Sequence, residues 1–169
     1  MIRPNIHNET TTLKLLIVGI ADSFGGVPAL SKCIDPKSRV HILAGTYPIE
    51  EDIVREMDAF VAVFEKYEVK VIRPKNIKGL NQIFTRDIAF VVDDKLVISN
   101  IIEERKNEID AVADMLCQIP EKDIVKMPID VWAEGGDIMP WNEYLFVGYR
   151  SEEHTSELQS RSDLVCRLL

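Results

Sequence analysis

Long hydrophobic runs are missing from this 169-residue sequence. Apolar runs such as Leu15 to Ile20 and Ile88 to Val92 fall far short of the ~20 residues that span a bilayer. The opening Met1-Ile2-Arg3-Pro4-Asn5-Ile6-His7 holds no apolar segment fit to be a secretory signal. Cysteine is scarce and odd in number, three residues at unrelated spacings. That count argues against a disulfide framework and suits a reducing cytoplasm. Positive charge is also short: 20 Lys and Arg face 28 Asp and Glu, a formal net charge of −8. Phosphate binding needs a basic surface, so no nucleic-acid partner is expected, and neither Trp132 nor Trp141 sits in a pattern suited to base stacking. Secreted, membrane and nucleic-acid classes are set aside on these grounds. A cytoplasmic protein with a small cationic ligand is the expectation.

What is present is ordinary globular material, 46% apolar and 28% charged, enough for one domain without a metal or disulfide staple. Leu13 to Ile20 reads as a buried strand followed by the turn-prone Asp22-Ser-Phe-Gly-Gly-Val-Pro28. Arg39 to Ala44 reads as another short strand, with His41 upon it. Pro48 to Tyr67 reads as a helix, with acidic residues in its first turn and an apolar stripe of Ile53, Met57, Phe60, Val61 and Phe64. Val69 to Ile72 is a strand. Between Gln82 and Ile98 two apolar runs flank Asp93-Asp94-Lys95, a hairpin pattern. Glu103 to Gln118 reads as an amphipathic helix with Ile109, Val112, Ala113 and Leu116 inward, and Ile124 to Met127 as a strand. A second hairpin runs from Val131 to Tyr149 and turns at Asn142-Glu143.

The hairpins repeat. Thr85-Arg-Asp87 opens one and Gly135-Gly-Asp137 the other, so the two aspartates stand fifty residues apart, and a helix and a strand separate the hairpins. A strand, strand, helix, strand repeat implies a propeller-like or solenoid arrangement, whose units bury their faces against neighbours. About two and a half such units fit before the pattern breaks at Arg150. Arg150-Ser-Glu-Glu-His-Thr155 resembles the translation of a common sequencing-library adapter, so residues 150 or 151 to 169 are expected to be a non-native tail on a truncated chain spanning 1–149. The alternative is a polar C-terminal helix with Leu158, Leu164, Val165 and Leu168 on one face. His154 and Cys166 accordingly carry no functional argument.

Two constellations can do chemistry. In Phe84-Thr-Arg-Asp87 the carboxylate at a hairpin mouth can accept two parallel N–H bonds from a guanidinium, a geometry an ammonium cannot match; pairing of Asp87 with Arg86 is the plainer alternative. In Glu134-Gly-Gly-Asp137 the glycines admit close backbone approach between two acidic residues. A metal held by Glu134 and Asp137 is poorly supported, with two carboxylates and no nearby His. The loop Asp22-Ser-Phe-Gly-Gly26 lacks phosphate-cradle spacing; it reads as a flexible loop with Asp22 or Phe24 touching a ligand, or as a plain turn. His7 and His41 stand alone, Cys33 and Cys117 have no activating His beside them, and Arg105 with Glu108 reads as a surface or helix-end ion pair.

Phe84-Thr-Arg-Asp87, Arg105-x-x-Glu108 and Glu134-Gly-Gly-Asp137, in this order over about residues 13 to 149, resemble the guanidino-group-modifying superfamily of arginine deiminases, dimethylarginine dimethylaminohydrolases and amidinotransferases. The resemblance implies an α/β pentein fold, a propeller of five ββαβ modules of which this chain holds the N-terminal part. It also implies a guanidino substrate such as arginine, no cofactor, a substrate-binding role for Asp87 and a catalytic role for Glu134 as partner of a histidine. Asp137 would support the same site. The family's chemistry is covalent, with a cysteine thiolate attacking the guanidinium carbon and a histidine serving the leaving amine. Neither His154 nor Cys166 matches the motifs of those two residues, so the chain is expected to lack both and to be inactive as it stands. A non-enzymatic propeller that binds a cationic ligand or a partner protein is the other reading; the oligomeric state is left open.

Overall fold

The computed structural model describes residues 1–33, 36–148 and the backbone of 164–168. The expected tail, 150–169, lies outside the described residues except for that last strand. The chain divides into two compact units, one of Leu13–Thr85 with Asp110–Val112 and one of Met1–Thr12, Arg86–Ile109 and Ala113–Leu169.

In the first, smaller unit, β1 (Leu15–Ile17) pairs in parallel with β2 (Lys70–Ile72). Parallel pairing demands a long crossover, and here α1 (Pro36–Ala44) and α2 (Glu50–Lys66) lie between the strands. Glu50, Glu51 and Asp52 in the first turn of α2 and Lys66 in its last complement the helix dipole. Its expected stripe is half-buried except Phe60, which is 51% exposed while standing edge-to-face on Phe64 at 4.7 Å. Val18, Ile20, Ala21, Phe24 and Val69 are buried.

Residues 39–44 correct the strand expectation: they are helical, as the second half of α1. Pro36 opens that helix with its φ preset. At its end the Gly45 N–H bonds Ile42 O at 3.2 Å and the Thr46 N–H bonds His41 O at 2.9 Å, with Gly45 at φ +68°. This pair of bonds is a Schellman stop, which requires a left-handed residue. The stop signal, Gly45, was thus in the sequence, but the short Val-His-Ile-Leu run outweighed it.

In the larger unit the first hairpin is β3 (Ala89–Val92) with β4 (Lys95–Ile98), turning on Asp93 at φ +52°. The apolar run before it is not strand throughout, because Thr85–Ile88 makes one helical turn, α3. Strand β5 (Ile124–Lys126) joins β4 in parallel, so the sheet order is β3-β4-β5. The second hairpin, β6 (Ile138–Trp141) with β7 (Tyr144–Gly148), turns on Asn142 at φ +54° and follows the 3-10 turn Gly135–Asp137. Both hairpins therefore follow a short helical turn that carries an Asp, as the repeat implies. Strand β8 (Leu164–Leu168) then pairs antiparallel with β7. A strand there is at odds with the helical alternative for Leu164, Val165 and Leu168. Ile88, Leu96, Met115, Ile119 and Ile138 form the buried apolar set of this unit.

The expected helix over Glu103–Gln118 is mostly a 3-10 helix, Glu103–Val112, that passes into α4 (Ala113–Leu116). Tighter winding rotates the inward face: Glu108, Ala111, Val112 and Met115 are buried while Ala113 is exposed. It also eclipses side chains three apart, which has consequences for Arg105 and Glu108.

Candidate functional site: a carboxylate cluster around one guanidinium

In the 3-10 helix Glu103–Val112, Arg105 stacks on Glu108 one turn later. Its Nε donates to Glu108 Oε1 at 2.8 Å and its Nη2 to Glu108 Oε2 at 2.9 Å, a two-pronged pairing. Glu108 is only 4% exposed and Arg105 21%. Of the surface or helix-end ion pair expected here, the helix-end form is what stands, with its carboxylate buried and its guanidinium half-buried. Its remaining edge reaches further: Nη1 donates to Asp87 Oδ2 at 3.1 Å and to Glu134 Oε1 at 3.0 Å. Hence one guanidinium ties together the three motifs that the sequence singled out.

Local structure delivers each partner. Asp87 sits on α3 and is 19% exposed. Glu134 precedes the 3-10 turn Gly135–Asp137 in extended conformation, φ −92° and ψ 142°. The glycines between the acids are dictated by close approach: a Cβ on Gly135 would stand 2.1 Å from Arg86 O, and one on Gly136 would stand 2.9 Å from Asp87 Oδ1. At Gly135 the two acidic turns are packed backbone against backbone and a larger residue does not fit, whereas at Gly136 the neighbour is the end of the Asp87 side chain.

Electrostatics follow from the count of charges. Arg105 stays protonated, its pKa raised chiefly by the hydrogen bonds to Glu108 against the opposing cost of burial. The Glu134 carboxyl is raised above its ordinary value, first by partial burial and then by the negative charge of Asp87, with Asp137 and Glu108 adding to it and Arg105 opposing. Three carboxylates, those of Glu108, Asp87 and Glu134, thus share one guanidinium, with the charge of Asp137 felt at Glu134. Each carboxylate offers about four lone-pair positions, so the single bond each of Asp87 and Glu134 makes to Arg105 leaves acceptor capacity. The arrangement is short of positive charge and shaped by planar N–H donors.

Of the residues predicted from sequence, Asp87, Glu134 and Asp137 come together in the larger unit, Asp137 being exposed. Asp22 and Phe24 belong to the smaller unit. There Asp22 is exposed and Phe24 is 8% exposed, on a loop pinned by the Ser23 N–H to Glu50 Oε1 at 2.9 Å and the Gly79 N–H to Ser23 O at 2.7 Å. His7 does not stand alone, since its Nδ1 meets Asp93 Oδ1 at 2.6 Å, and His41 Nδ1 is 3.0 Å from Thr46 Oγ1. Among the described residues no group of three His, Cys, Asp or Glu side chains is placed to hold a metal ion. Arg105 as the hub, and Arg86, were missed as single residues. An Arg-x-x-Glu pair reads as surface until its helix winds as 3-10.

No family model and no curated protein matches the chain significantly. Solved structures do. The amidinotransferase SxtG from Microseira wollei, of the saxitoxin biosynthetic pathway, matches with TM-score 0.58 and 16% identity over 81% of this chain and 52% of that one. DDAH (dimethylarginine dimethylaminohydrolase) from Pseudomonas aeruginosa, complexed with citrulline, matches with TM-score 0.63 and 15% identity over 82% and 51%. The N-terminal domain of ArgZ, a cyanobacterial arginine dihydrolase bound to product, matches with TM-score 0.61 and 17% identity over 82% and 49%. The chain spans about half the length of these proteins. At such identities the likeness is one of fold, a mixed α/β fold similar to that of these enzymes.

Proposed function

We propose that this chain is the guanidinium-binding part of a cysteine-dependent guanidine-modifying enzyme, a deiminase-type hydrolase or amidinotransferase acting on arginine or a derivative. One observation carries the reading: Asp87 and Glu134 already hold a guanidinium, that of Arg105, with charge and lone pairs to spare. Carboxylates that fit one planar cation fit another. Asp87 is the substrate anchor, Glu134 the partner of the reacting groups, and Asp137 adds negative charge at the exposed side. On their turn-prone loop, Asp22 or Phe24 is assigned a ligand contact, within the smaller unit alone.

The chemistry follows the family resemblance. A guanidinium carbon is electrophilic only while the group stays protonated and charge-paired, which is what a pair of carboxylates ensures. A thiolate attacks that carbon, a histidine protonates the departing amine, and water or an acceptor amine then releases the amidino group. Among the described residues, the side chains that Arg105 is shown to bond include neither thiol nor imidazole. The reading assigns both to the further modules of a complete propeller, makes residues 150–169 a non-native tail, and makes the present chain a binder without turnover. A cytoplasmic location accords with it, and no helix among the described residues is long and apolar enough to cross a membrane.

Titrating L-arginine into the chain while recording carboxyl NMR signals tests the assignment. Saturable shifts at Asp87 and Glu134 that vanish in Asp87→Ala are expected. Shifts that persist unchanged in Asp87→Ala would remove Asp87 from its role.

A further inference from the structure

Arg86 lies between the two acidic turns but takes no part in the binding assigned above. Its Nε donates to Gly135 O at 3.0 Å and its Nη2 to Ile138 O at 2.7 Å. Those carbonyls bracket the turn that carries Asp137 and follows Glu134. The same Nη2 meets the carboxylate of Glu9. One side chain therefore leaves the turn bearing Asp87 and ends on the turn bearing Glu134. Glu9 in turn belongs to an N-terminal segment that binds both hairpin turns. Ile6 and Asp93 exchange backbone bonds at 2.8 and 2.9 Å, the Asn142 N–H bonds His7 O at 2.6 Å, and Asn8 Nδ2 donates to Asn142 Oδ1 at 3.1 Å.

We propose that Arg86, held by Glu9, is a positioning residue that fixes the spacing of Asp87 and Glu134 and so shapes the guanidinium seat. Two carbonyls and a carboxylate in different directions need the planar fork of arginine; an ammonium is a single point of charge on a flexible stem. The close fit of Gly135 against Arg86 O leaves the clamp no slack. This inference rests on the guanidinium-binding reading for its purpose, while the clamp has a readout of its own.

The experiment uses the whole chain with Arg86→Lys, Arg86→Met and Glu9→Gln. It records the pH titration of the Glu134 carboxyl by NMR, the thermal melt, and the affinity for L-arginine. In Arg86→Lys and Arg86→Met the Glu134 titration moves toward that of an ordinary carboxylate, because Asp87 no longer lies beside it, and Glu9→Gln moves it the same way by less. Affinity for L-arginine falls about tenfold in Arg86→Lys, the scale of one lost charge-assisted hydrogen bond. Should Arg86→Met fail to fold, Arg86→Lys and Glu9→Gln decide. A Glu134 titration and affinity identical to wild type in a folded Arg86→Lys overturn the clamp. If wild type binds no L-arginine while the Glu134 titration still moves in the variants, the functional reading fails and the clamp stands.

Discussion

Arg105 and Glu108 are the residues on which the cluster's energetics turn. Glu108 is 4% exposed and its two oxygens are both taken by Arg105. Removing the guanidinium strands a buried carboxylate, so Arg105→Met lowers stability by about 3–5 kcal/mol. Chemical denaturation checks this, and an unchanged midpoint with unchanged slope contradicts it. Glu134 behaves in the opposite sense. Its folded-state pKa lies above its unfolded one, so the folded chain binds more protons between the two values and loses stability as pH rises through that window. Glu134→Gln keeps an acceptor for Arg105 and removes the titration, so its melt is flatter with pH than wild type and higher above the window. A melt that still falls with pH just as in wild type would assign that dependence elsewhere. Asp87 and Asp137 were legible in the sequence because they stand fifty residues apart at equivalent places in two hairpins, and Glu134 because it and Asp137 flank paired glycines. Arg105 was legible as a motif member but not as the hub, since side-chain reach depends on helix winding.

Among the elements, the turns decide more than the strands. Gly135→Ala places a methyl where Arg86 O already stands 2.1 Å away, so the backbone must move and the variant is destabilised by about 1–3 kcal/mol or more. The Arg105 contact to Glu134 is disturbed with it. A Gly135→Ala chain with wild-type melt and wild-type Glu134 titration would contradict the tight turn-on-turn packing. Hairpins and their turns were readable from alternating apolar runs around Asp93-Asp94 and Asn142-Glu143, because a polar pair between such runs has few other conformations. Two helices were read less well. Residues 39–44 have a strand-like composition, and only the Pro36 start and Gly45 stop mark them as helix. Glu103–Val112 has a helical period yet winds with three residues per turn, which stacks Arg105 on Glu108 and which composition does not encode.

At the scale of the whole molecule, the repeat and the resemblance pointed to an α/β fold, and the structural likenesses show a mixed α/β fold similar to that of about half of each related chain. Each unit leaves large apolar side chains outside its core. Leu43, Phe60, Val63 and Tyr67 are exposed in one, and Ile129 and Trp132, 91% and 66% exposed, in the other. Such surface promotes association, so the isolated chain self-associates at micromolar concentration. Sedimentation velocity checks this, and a soluble monomer with a sharp cooperative melt contradicts it. What the sequence left unread at this scale is the division into two compact units, because contacts between distant segments are not carried by local pattern.

The central claim, that the carboxylates of Asp87 and Glu134 in the larger unit form a seat for planar cations, is tested most directly by calorimetric titration of methylguanidinium against methylammonium, at equal ionic strength. Both carry one positive charge, but only the guanidinium offers parallel N–H donors. The account predicts saturable binding of methylguanidinium that Asp87→Asn abolishes, with methylammonium at least about tenfold weaker. Equal affinity for the two cations, or binding indifferent to Asp87→Asn, would contradict it.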